Sequence, residues 1–256
     1  MSLATRLAAD ETVFTAWSAI PDALTMETLA GTAFDSVLLD MQHGGHSEES
    51  VLRCLAPVIA RGKPGIVRIP VGRFDMASRA LDYGAQAVVA PMINTVEDAK
   101  AFAAAMKYPP LGARSWGVSI AAARDGQSDA QKRLENANTE TLAFAMIETR
   151  QAYDIVDDIL AVPGIDAIFI GPSDFSIAWT NGKTMNPGLE DMMEAVTDIA
   201  ARTRAAGKHV GIYLVNMADA GRLHKMGIRL FGTGPESRLM NMGASALVGD
   251  ASASIG

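Results

Sequence analysis

Two carboxylates stand directly after runs of apolar residues: Glu148 after LAFAMI (142–147), and Asp174 after DAIFI (166–170) and the short stretch GPS. If those runs are neighbouring strands, their axes lie about 4.8 Å apart and the two acids end at the same edge of a sheet. Bare carboxylates about 4 Å apart repel by roughly 4 kcal/mol at an effective dielectric near 20, so a divalent cation or a shared proton would be needed to hold them together. Two protein oxygens would leave several positions of an octahedral shell for water and substrate, an arrangement suited to magnesium or manganese. The alternative is that each acid merely caps the helix that follows it.

Other residues at the ends of apolar runs extend the chemistry. His43, in MQHGGH, is suited to moving a proton because imidazole titrates near neutrality. His43 and His46 form an HxxH pair, but no third nitrogen or sulfur ligand lies nearby in sequence, which weakens a zinc reading; His46 is expected on the rim. Arg68, among the apolar residues of GIVRI, needs an anion, either another side chain or a bound carboxylate. The segment IGPSDFS offers backbone N–H groups at a predicted helix start, a favourable place for a carboxylate. Trp17, Tyr213 and Asn216 follow or end further runs, whereas no lysine does, which argues against a Schiff-base mechanism.

The elements that must position these residues follow from hydrophobic patterning. Apolar, β-branched runs occur at 13–17, 36–40, 65–69, 87–91, 142–147, 166–170, 209–214 and 228–232. Amphipathic segments alternate with them, several opening at Ser, Thr or Asp and closing at Gly or Pro, as crossover helices do. Eight such repeats predict a single-domain TIM (β/α)8 barrel over residues 1–256, in which catalytic groups stand at the C-terminal strand ends. An open dinucleotide-binding sheet is disfavoured, because no GxGxxG follows the first run. Residues 109–140 are too long for a simple connection, and GQSDAQKRLENAN within them predicts a short polar helix.

Composition narrows the partners. A net charge of -7 without a long basic run argues against nucleic acid and anionic membranes, and favours small-molecule chemistry. The single cysteine, Cys54, lies in an apolar pattern and is expected in the core. MSLATRLAADET is too polar for a signal peptide and no apolar run approaches the roughly 20 residues of a membrane span, so a cytoplasmic protein is expected.

Taken together, FDSVLLDMQH, VRIP, LDYGAQAVVAPMI, YPPLGARSWG, MIETRQA, VPGIDAIFIGPSDFS and AAGKHVGI resemble the class II, metal-dependent pyruvate aldolases of the HpcH/HpaI superfamily. The types are 4-hydroxy-2-oxoheptanedioate aldolase and 2-dehydro-3-deoxyglucarate aldolase. The resemblance implies a homo-oligomeric, often hexameric, TIM barrel acting on a 2-oxo acid, pyruvate or hydroxypyruvate, and an aldehyde. It implies that Glu148 and Asp174 hold Mg2+, Mn2+ or Co2+, that Arg68 steadies the enolate, and that His43 takes part in proton transfer. Gly171, Pro172 and Ser173 would approach the donor carboxylate, Ser173 rather than the proline supplying an N–H. Trp17 and Tyr213 would line the substrate pocket. Asp82, in LDYGAQ, matches an aspartate associated with the histidine, but it sits late in a helix and would meet His43 only across a subunit boundary. Departures from the family pattern are Gln42 in place of a glutamate before His43, Met146 in place of a glutamine, and Tyr213 in place of a leucine. A metal-dependent decarboxylase or an acyl-CoA lyase is the rival reading, and a non-catalytic binding barrel a more distant one.

Overall fold

The computed structural model describes residues 1–255. In chain order the elements are α1 (Leu3–Ala8), β1 (Val13–Ser18), α2 (Ala23–Ala30), β2 (Ser36–Asp40), α3 (Glu48–Ala60), β3 (Gly65–Arg68), α4 (Asp75–Asp82), β4 (Ala87–Ala90) and α5 (Val96–Met106). There follow α6 (Ser119–Asp125), α7 (Ala130–Glu140), β5 (Leu142–Ile147), α8 (Arg150–Asp154), α9 (Val156–Leu160), β6 (Ala167–Ile170), α10 (Pro172–Trp179), α11 (Glu190–Ala205), β7 (His209–Tyr213), α12 (Ala220–Lys225), β8 (Leu230–Thr233) and α13 (Glu236–Ile255). The eight strands pair in parallel, each with the next and β8 with β1, closing a TIM barrel.

Each strand faces two apolar environments, which is why the runs are continuous rather than alternating. In β5, Leu142, Phe144 and Met146 point into the lumen, while Ala143, Ala145 and Ile147 pack outward under the helices. The lumen is filled by Val13, Trp17, Leu38, Ile66, Val89, Phe144, Phe169 and Leu230 among others, a packed core and not a pore. Helix α1 closes its N-terminal mouth: Leu3 and Leu7 join the lumen cluster, and the Leu3 N–H donates to Gln86 Oε1, just ahead of β4, at 2.8 Å. Cys54 is buried in the outer layer on α3, whose start is fixed by a Ser47–Ser50 capping box.

Glycines make the upper lumen fit. A Cβ at Gly232 would lie 2.6 Å from Trp17, and one at Gly211 would lie 2.7 Å from Phe169, so these positions leave the room the two rings occupy. The insertion before β5 forms α6 and α7, the latter at the predicted polar helix. Helix α13 departs from the rest: of its 20 residues only Glu236 is buried, and Met240, Met242, Leu247, Val248 and Ile255 are exposed. No helix is long and apolar enough to cross a membrane among the described residues.

Candidate active site

The lumen side chains turn polar at the C-terminal strand ends, where a cavity of about 280 Å³ opens. Trp17, His43, Arg68, Glu148, Gly171, Pro172, Ser173, Asp174 and Tyr213 all line it, together with Ala19, Asp40, Met146 and Pro235. Asp82 does not. It ends α4 and pairs with Arg114 at 2.7 Å, against Gly117 of the insertion.

One wall is anionic. Glu148 follows β5 and is buried, with its Oε2 accepting the Met92 N–H at 2.9 Å. Met92 is held at φ 53° to aim that N–H, a left-handed conformation unusual for a side chain of its size. Gly171 lies so close to the carboxylate that any Cβ there would collide with Glu148 Oε1. Neither acid is a cap: Thr149 caps α8 and Gly171 precedes α10, leaving Asp174 inside the first turn of α10 without a hydrogen bond among the described residues. Burial, with the neighbouring charge of Asp174, pushes the Glu148 carboxyl up to about 7. No group of three or more His, Cys, Asp or Glu side chains forms a metal cluster among the described residues, so a cation here would take two protein carboxylates. The donor set fits a hard divalent ion that keeps open positions.

The opposite wall is built around Asp40, the last residue of β2, which the sequence alone did not single out. Asp40 and Arg68 are register partners on β2 and β3. The guanidinium grips the carboxylate through Nε to Oδ1 at 2.8 Å and Nη2 to Oδ2 at 2.6 Å. The Trp17 indole N–H donates to Asp40 Oδ2 at 3.1 Å, and the backbone N–H groups of Gln42 and His43 donate to Oδ1 at 2.9 and 3.3 Å. Burial works against the Asp40 charge, but the Arg68 guanidinium and these donors hold its carboxyl below the usual range. Arg68 therefore has a side-chain anion, with Nη1 left free of hydrogen bonds among the described residues. It stacks 4.8 Å over Trp17, which meets Tyr213 edge-on at 5.1 Å. Tyr213 is pushed above the ordinary phenol range by burial and remains protonated at neutral pH.

The histidines part company. His43 is exposed at the mouth of the cavity, whereas His46, expected on the rim, is 5% exposed and is buried behind the strand ends between Ser18 and Ser50. The reason is the glycine pair: a side chain at Gly44 would meet the Asp40 carbonyl, and the Gly45 N–H donates to Ala19 O at 2.8 Å, folding the loop inward. Gln42 Oε1 is buried without a partner among the described residues. The buried lysine, Lys107, pairs with Asp166 at 2.7 Å and bonds the Thr141 carbonyl, at the opposite end of the barrel from this cavity.

A family profile described as HpcH/HpaI aldolase/citrate lyase matches residues 14–241. A hydroxypyruvate/pyruvate aldolase of Roseovarius nubinhibens is 32% identical over 228 residues, 89% of this chain and 88% of that protein. A 4-hydroxy-2-oxo-heptane-1,7-dioate aldolase of Salmonella dublin is 32% identical over 231 residues, 90% of this chain and 87% of that protein. The crystal structure of an HpcH/HpaI aldolase/citrate lyase family protein from Burkholderia cenocepacia superposes with a TM-score of 0.85 at 27% identity, covering 97% of this chain and 98% of that one.

Proposed function

This chain belongs to the HpcH/HpaI aldolase/citrate lyase family and is a carbon–carbon lyase of it, and from that premise we propose that it forms the enolate of a short 2-oxo acid for reversible addition to an aldehyde. Pyruvate and hydroxypyruvate are the donors to which the relatives' names point. The observation that carries the reading is the division of one cavity into an uncapped carboxylate pair, Glu148 and Asp174, and a braced cationic wall formed by Arg68 on Asp40.

Glu148 and Asp174 would hold a divalent cation, Mg2+, Mn2+ or Co2+, which when bound supplies Lewis acidity toward the oxygens of a 2-oxo acid. The remaining work falls to the chain. The Ser173 N–H, in the first turn of α10, would receive the donor carboxylate. Arg68 presents fixed positive charge where the enolate oxygen develops, and needs no reorganisation because Asp40 already holds its fork. His43, at the mouth, takes and returns the proton at C3. Trp17 and Tyr213 form the aromatic side of the pocket, and the Tyr213 hydroxyl offers a polar contact to a donor or acceptor hydroxyl.

Asp82 lies outside the cavity and serves it only from a second copy, in a homo-oligomer to which the exposed apolar residues of α13 also point. The central test is solvent exchange. Pyruvate or hydroxypyruvate incubated with the protein in heavy water should gain deuterium at C3, with loss of exchange after chelation and in Glu148→Ala. Absence of exchange with both donors and with each of the three ions would sink the proposal.

A further inference from the structure

Behind the cavity wall, on the helix-facing side of β1, lies a buried polar cluster that the proposed chemistry does not use. Ser18, Glu236 and His46 are 0%, 3% and 5% exposed, and belong to β1, α13 and the loop after β2. The Ser18 hydroxyl donates to Glu236 Oε1 at 2.5 Å, and the Ala19 N–H donates to Oε2 at 2.9 Å. The Ile20 N–H reaches Oε1 at 3.4 Å. His46 Nε2 lies 2.8 Å from the Ser18 oxygen, and its Nδ1 lies 3.2 Å from Ser50 Oγ. Because the Ser18 proton goes to Glu236, the proton in the His46–Ser18 contact is carried by Nε2.

This carboxylate has no Lys or Arg partner among the described residues. Its charge is met by the Ser18 hydroxyl, the Ala19 and Ile20 amides, and the N-terminus of its own helix. Burying an acid this way is costly, so the contacts must be held closely. What they hold is informative. Ser18 follows Trp17, Glu236 follows Pro235, and His46 shares its loop with His43; Trp17, Pro235, His43 and Ala19 all line the active cavity.

We propose that Glu236 is a positioning residue for the aldolase site, tying the three segments that carry Trp17, His43 and Pro235 into one wall through Ser18 and His46. The inference rests on the function proposed above for its consequence in catalysis, but not for the geometry. The opposite wall, Glu148 with Gly171 to Asp174, stands at the ends of β5 and β6 and the start of α10, with no hydrogen bond to this clamp among the described residues.

Glu236→Gln and Ser18→Ala are the test variants, the second guarding against misfolding of the first. Backbone hydrogen–deuterium exchange read by mass spectrometry should quicken by about tenfold or more in peptides covering 17–21 and 41–47, with those covering 146–149 and 170–175 unchanged. The Mn2+ dissociation constant should stay within about twofold, while kcat with pyruvate falls by about tenfold or more and KM moves little, as a misplaced proton-transfer wall requires. Uniform quickening over all four peptides, or unchanged exchange at 17–21 and 41–47 in a folded variant, would overturn the inference. Local quickening in a protein whose parent shows no donor exchange would confirm the clamp and reject only the enolate function.

Discussion

Asp40 and Arg68 form one buried pair on which the fold relies and on which the proposed chemistry would rely as well. Removing either partner leaves a charge uncompensated inside the barrel, a loss of about 3–5 kcal/mol in comparable sites. Arg68→Ala is therefore expected to lower the melting temperature as well as activity, and cannot separate the two roles. Arg68→Lys can, since it keeps the charge and abandons the two-point grip on Asp40. Its kcat should drop by about a hundredfold with a much smaller loss in the melting temperature measured by calorimetry. Glu148 yields a prediction about pH. Its folded carboxyl titrates at about 7, above the ordinary value of 4.5, so between those values the folded chain binds the proton that the unfolded chain has released. Stability from this group is present below about 4.5 and is lost as pH rises toward 7, by up to about 3 kcal/mol. Metal-free protein should melt lower at pH 8 than its other groups require, and Glu148→Gln should remove that component; an identical pH profile in the variant would contradict it. Glu148 and Asp174 were legible in the sequence because each follows an apolar run. Asp40 stood in the same kind of place, but an aspartate ending a strand also begins turns, and only the register with Arg68 reveals its partner.

Strands were the most legible elements, because a parallel sheet covered on both faces needs continuous apolar runs and cannot hide them among polar residues. The end helices were less so. Helix α1 spans six residues, and its meaning lies in where Leu3 and Leu7 go, into the lumen, which no local period reports. The loop after β2 misled for a related reason: Gly44 and Gly45 reverse the chain so tightly that His46 returns to the interior, where its place past a strand end suggested a rim residue. Glycines inside strands carry the same kind of hidden information. A methyl group at Gly232 would press on the Trp17 ring, which is already fixed by its bond to Asp40 and by Tyr213. Gly232→Ala should cost about 1–3 kcal/mol by overpacking and displace Trp17. Chemical denaturation monitored by indole fluorescence reads both effects, and an unshifted midpoint would mean that β8 yields more easily than the packed lumen suggests.

At the scale of the whole molecule, the barrel is self-sufficient and α13 is not. A 20-residue helix touching its own barrel mainly at its start exposes Met240, Met242, Leu247, Val248 and Ile255, more apolar surface than a free helix in water can hold at no cost. Asp82 lies outside its own cavity and is held toward the insertion by Arg114, so the proposed role for it requires a second copy. In the proposed homo-oligomer a second copy would cover the helix and bring an Asp82 to a foreign His43. Removal of residues 240–256 leaves Glu236, Leu239 and every strand in place, so the truncated barrel should still unfold cooperatively. Light scattering should show the full chain as an oligomer and the truncated chain as a smaller species. Donor exchange should fall with the loss of assembly, and Asp82→Asn should lower it in the intact oligomer without altering its mass. A full chain that is monomeric at micromolar concentration, or a truncation that keeps the original mass, would remove α13 from the interface. A full rate of exchange in a monomer would remove Asp82 from the chemistry, because the fold places no copy of it at its own active cavity.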